Sequence, residues 1–151
     1  MKWIKKYEPK LGENYLEIHY GSMNKETEDI IAYLESQNVL MGKNEGESRL
    51  IQPNEVYYCE TVDRKCYAYL KDEVWKLEEG LAELTERYEM HGFVRISKSM
   101  LVNIHKVKQI ETDLNMRMKL VLFNDEMIVM SRSYRNDFFR KLKSGRMEEK
   151  K

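Results

Sequence analysis

The chain has 151 residues, 42% hydrophobic and 34% charged, with a formal net charge of zero. That suffices to bury the core of one domain, or of one domain with a small appendage. It excludes a helical membrane span, which needs ~18 consecutive apolar residues, and the start Met1-Lys-Trp-Ile-Lys-Lys6 lacks the apolar run of a secretory signal.

Residues 1–12 are polar and basic, broken by Pro9 and Gly12, and read as a loosely held arm. Tyr15–Tyr20 alternates Leu16, Ile18 and Tyr20 with Glu17 and His19, the period of a half-buried strand. Ser22 or Asn24 can cap a following helix, with Glu26, Glu28 and Asp29 near its start and Ile30, Ile31, Leu34 and Gln37 along one side. Residues 42–48 contain two glycines and no apolar side chain, which predicts a linker. Residues 1–45 are therefore expected to form a small strand–helix segment with its linker, docked on the remainder or on a second copy. Beyond Arg49 the pattern turns almost wholly β. Short runs at 49–51, 55–61, 66–70 and 73–77 are separated by tight polar turns, as in a meander. Leu77, Leu81, Leu84 and Tyr88 make one side of a helix over roughly 78–88. Further strands are predicted at 93–96, 100–102, 106–110, 116–122 and 127–130, with hairpin turns at Thr112–Asn115 and Asn124–Asp125. Met116, Met118, Leu120 and Leu122 share one face. A last helix, capped by Ser131 or Ser133, turns Tyr134, Phe138 and Leu142 inward, and residues 146–151 form a charged tail.

Cys59 and Cys66 lie on adjacent predicted strands and read as buried free thiols; so few cysteines fit a reducing, cytoplasmic compartment. His19, His91 and His105 have no partners at metal-ligand spacing, and neither a glycine-rich phosphate loop nor a nucleophile motif is present. No cofactor is expected, and an enzyme is disfavoured.

The zero net charge hides a segregation. Residues 1–90 hold 12 basic against 19 acidic side chains, whereas residues 91–145 hold 11 against 5. A basic half suggests a polyanion partner, although solvated faces can carry the same asymmetry. The cations gather at three turns: Asp63-Arg64-Lys65, Ser97-Lys98-Ser99, and Ser131-Arg132-Ser133 with Arg135. Rigid strands would aim them outward, Arg toward a guanine edge, Lys toward base or phosphate, and Ser toward phosphates.

Phe93-Val-Arg-Ile-Ser-Lys-Ser-Met-Leu-Val-Asn103, the run on to Ile110, and Val129-Met-Ser-Arg-Ser-Tyr-Arg135 with Phe138–Leu142 resemble the signatures of the LytTR-type DNA-binding domain, over about residues 46–143. The resemblance implies a mainly β fold with short helices, an array of antiparallel sheets over 46–145 whose loops enter successive major grooves. It implies a bacterial, sequence-specific transcriptional regulator that binds double-stranded DNA as a homodimer or as paired monomers on repeats. By position it makes Lys98, Ser99 and Arg132 DNA contacts, with Ser131, Ser133 and Arg135 on the backbone and Arg64 and Lys65 in a third loop. Ser97 stands where many members carry histidine, and Asn103 occupies a signature position with a structural hydrogen bond as its other reading. The chain resembles the stand-alone type without a receiver domain, whose companion is often a small membrane protein. The competing reading is a protein-interaction or signal-sensing module with a basic surface.

Overall fold

The computed structural model describes residues 1–12, 14–36 and 38–149. It divides into two compact units, Met1–Asn38 and Val39–Lys151. In the first, helix α1 (Lys25–Ser36) begins where the Thr27 amide donates to Asn24 Oδ1 at 2.9 Å, so Asn24 is its cap. The expected strand Tyr15–Tyr20 is not formed. Alternation yields a strand only where a partner edge takes up the backbone hydrogen bonds, and here Tyr15, Leu16 and Tyr20 stand in solvent. Gln37 lies outside the described residues, as do the last two of the expected tail.

The second unit opens with β1 (Leu40–Asn44) and β2 (Glu47–Ile51), paired in one antiparallel hairpin. This corrects the linker expected at 42–48. Gly42 lies on a strand because β1 runs against β5 (Val74–Leu77): a Cβ at Gly42 would meet Trp75 Cβ at 2.6 Å. Gly46, with φ +84, makes the hairpin turn. A strand interior with no side chain to bury has no hydrophobic signature.

Between them in the chain and onward come β3 (Tyr58–Val62), β4 (Lys65–Tyr69), β6 (Phe93–Arg95) and β7 (Met100–Asn103). The seven strands form one antiparallel sheet ordered β2-β1-β5-β4-β3-β7-β6, and β8 (Val107–Thr112), β9 (Met118–Leu122) and β10 (Met127–Met130) form a second ordered β10-β9-β8. The helix expected over 78–88 is α2 (Leu81–Tyr88), with Leu77 on β5 instead. The last helix, α3 (Arg135–Glu149), continues beyond the expected Leu142.

Strand periodicity sends alternate residues into two cores. Cys59, Phe93 and Leu101 join Leu40, Ile51 and Trp75 beneath Leu81, Leu84 and Tyr88 of α2. Tyr58, Val94 and Val102 join Leu120, Leu122, Ile128 and Met130 of the second sheet and Phe138 of α3. Each fully buried side chain of this size contributes ~1.5–3 kcal/mol. Around β3, β6 and β7 the large sheet is thus covered on both faces, whereas Met41, Leu50 and Val74 leave the second face of β1, β2 and β5 exposed. Cys59 and Cys66 are free and buried, and burial pushes the Cys59 thiol up, away from reactivity.

Candidate nucleic-acid interface

The β3–β4 connection is a two-residue turn, Asp63 and Arg64 both left-handed at φ 51 and 65, between the paired Val62 and Lys65. That turn type matches the twist of the flanking strands. It leaves Arg64 and Lys65 exposed, and neither makes an ion pair or side-chain hydrogen bond.

Two residues before this turn, the Thr61 amide donates to the Ser99 carbonyl at 2.9 Å. The β6–β7 loop therefore stands directly beside the β3–β4 tip. Its own backbone is closed by Ile96 N–H to the Met100 carbonyl, 3.1 Å, and by Ser99 N–H to Ser97 Oγ, 3.2 Å. Arg95 holds it from behind: Nε donates to the Ser97 carbonyl at 3.1 Å and Nη2 to the Lys98 carbonyl. With both carbonyls bonded to Arg95, the Lys98 side chain stands exposed and unpaired. Ser97 spends its hydroxyl on the loop, and Ser99 is half-buried against it. Arg95 was readable only as a strand residue. The signal that could have found it is a forked donor two positions before a turn with carbonyls to satisfy.

The third turn is joined to the second in the same way. The Ser131 amide, just past β10, donates to the Ile96 carbonyl at 2.8 Å. A short 3₁₀ turn, Arg132–Tyr134, follows without a side-chain cap from Ser131. Ser131, Arg132 and Ser133 are exposed and unpaired. All three cationic turns thus occupy one rim of the sheets, in the order 64–65, 98, 132.

Two expected residues have other duties. Asn103 is 2% exposed; its Nδ2 donates to the Val56 carbonyl at 3.0 Å and its Oδ1 accepts from the His105 amide at 3.1 Å. A buried amide bonded at both ends shapes the chain after β7 and cannot reach a ligand. Arg135 is half-buried, and its Nη2 donates to the Met116 carbonyl at 2.6 Å, tying α3 to the β8–β9 turn. Met116, expected on β9, sits in that turn at φ 62 with its side chain exposed.

The opposite rim is of mixed charge, with Arg49 paired to Glu55 and Glu73 and Lys108 paired to Asp125. It carries Glu55, Asp72 and Glu73, and the β9–β10 turn with Asp125 and Glu126, which Asn124 anchors by donating to the Lys71 carbonyl at 3.2 Å. No group of three His, Cys, Asp or Glu side chains among the described residues is placed to hold a metal ion, and no described helix is long and apolar enough to cross a membrane.

Residues 46–143 match the family model described as the LytTr DNA-binding domain. A Staphylococcus aureus protein named an uncharacterized HTH-type transcriptional regulator is 27% identical over 125 residues, 81% of this chain and 84% of that one. The sensory transduction protein LytT of Enterococcus faecalis is 25% identical over 100 residues, 65% of this chain and 41% of that one. Among solved structures, the LytTr DNA-binding domain of a putative methyl-accepting/DNA response regulator from Bacillus cereus matches with a TM-score of 0.65 at 25% identity, over 70% of this chain and 96% of that one.

Proposed function

This chain belongs to the LytTR DNA-binding domain family, and from that premise we propose that it regulates transcription by seating three turns of one rim, at Arg64–Lys65, Lys98 and Arg132, in the grooves of duplex DNA. The observation that carries this reading is the chain of backbone hydrogen bonds, Thr61 to Ser99 and Ser131 to Ile96, that sets four unpaired cations along one edge. Arg132 is the base-reading residue, because its fork matches guanine O6 and N7. Lys98 and Lys65 supply charge to phosphates, with the Ser131 and Ser133 hydroxyls as neutral donors. The first two tips, two strands apart in one sheet, lie roughly 10 Å from one another, and the third is hydrogen-bonded to the second, so the three turns offer one contiguous edge to the duplex, and two copies on repeated half-sites lengthen the site read.

Selection of genomic fragments bound by the purified protein tests the reading. An enriched motif whose recovery falls as salt rises supports it. Retention of fragments without any enriched sequence would favour a basic protein- or lipid-binding surface instead.

Arg95 is a positioning residue in this scheme, since it fixes the loop that presents Lys98 without reaching the rim itself. Arg95→Ala is expected to weaken binding to the selected motif by about 1 kcal/mol, one hydrogen-bonded contact's worth, while the melting temperature moves little. Arg95→Lys should not rescue it, because an ammonium lacks the planar fork that spans two carbonyls. Full rescue by lysine would show that charge alone matters there.

A further inference from the structure

The same rim carries a fourth turn that the cation pattern did not single out. β9 runs antiparallel to β10 with Met118 opposite Met130, so the β8–β9 connection, residues 113–117, emerges next to Ser131 and Arg132. Arg135 moors it there through the Met116 carbonyl. The Asp113 carboxylate braces it from within, accepting the amides of Asn115 and Arg117 and the Arg117 Nε, each at 2.9 Å. Those bonds hold the Asp113 carboxyl below its usual range. At the tip of this rigid turn Leu114 is fully exposed at 103%, and the Asn115 side chain is exposed and unpaired.

The chemistry of the tip differs from that of its three neighbours. Arg117 is matched by Asp113, so residues 113–117 carry no net charge to offer a phosphate, while Lys119, 3.9 Å from the same carboxylate, lies on β9. Turn propensity does not explain an aliphatic side chain at the tip, where Gly, Asn or Asp would serve. What Leu114 and Asn115 do match is a base-pair edge: an apolar surface for a thymine methyl group, and a side-chain amide for adenine N6 and N7.

We propose that the β8–β9 turn is a fourth DNA-reading element, with Leu114 and Asn115 contacting A·T base edges immediately beyond the base read by Arg132. Adjacency supports the reach: β9 and β10 are hydrogen-bonded neighbours, roughly 5 Å apart, and the turn leaves β9 at the end where β10 reaches Ser131. The inference rests on the DNA-binding reading above and extends the site at one end only.

The test compares the parent with Leu114→Ser/Asn115→Ala and, separately, with Arg132→Ala, each in fragment selection and in titration of the parent's own motif across salt concentrations. The double variant is expected to lose sequence preference at positions flanking those lost in Arg132→Ala, on the side away from the Lys98 contact. Affinity for the parent's motif should fall about tenfold, the effect of one good base-edge contact. The slope of affinity against salt should stay at the parent's value, because no phosphate contact is removed. Unchanged preference and affinity in the double variant would overturn the fourth contact and leave the three-turn reading intact. A changed salt slope without altered preference would also overturn it. If the parent selects no motif, both readings fall together.

Discussion

Phe138→Ala is expected to destabilise the second unit by about 3–5 kcal/mol, the usual cost of emptying a core aromatic site. Phe138 is 0% exposed and packs with Val94, Ile96, Leu120, Leu122 and Met130, edge-on to Phe139 at 5.5 Å and 83°. It is the side chain that pins α3 against both sheets. Domains of this size have only ~5–15 kcal/mol in total, so denaturant unfolding followed by circular dichroism should show a large fall in midpoint. The consequence reaches the rim, because α3 starts one residue after the Arg132–Tyr134 turn. A loosened helix removes the support behind Arg132, and DNA affinity should fall at temperatures where the variant is still folded. Phe138→Leu, which keeps most of the volume, should lose less than half as much stability. A loss near zero for the alanine variant would mean that α3 is not part of this core.

Much of this core was legible as alternation. Met118, Leu120 and Leu122 share a face, and Leu81, Leu84 and Tyr88 point into one cluster, because both periods are set by local backbone geometry. The failures share a cause as well. The hairpin of β1 and β2 was read as a linker because Gly42 earns its place from Trp75, a neighbour thirty-three residues away in sequence. Tyr15–Tyr20 has the period of a strand but no edge to complete it. At the interface, the three cationic turns could be found from composition. Their alignment on one rim could not, since period two tells which face a residue occupies and nothing of which end a turn shares. The same blindness hid Arg95 behind its loop, left Asn103 between a DNA contact and a structural hydrogen bond, and did not reveal that Arg135 is bonded to the Met116 carbonyl.

Arg132→Ala is expected to weaken binding to the selected motif by ~1–3 kcal/mol and to relax preference at the base it reads. Arg132 is exposed and unpaired, so its removal creates no cavity and orphans no buried partner; the unfolding midpoint should match the parent's. The salt slope separates its two possible duties. A base-edge contact leaves the slope near the parent's value, whereas a phosphate contact lowers it by about one. Arg135→Ala supplies the contrast within one helical turn. Arg135 is engaged with the Met116 carbonyl, so its loss should lower stability as well as affinity and should act through the β8–β9 turn. Lys71→Ala, on the opposite rim, should leave binding unchanged. If Arg132→Ala bound the motif as tightly as the parent while Lys71→Ala weakened it, the DNA-facing rim would be assigned to the wrong end of the sheets.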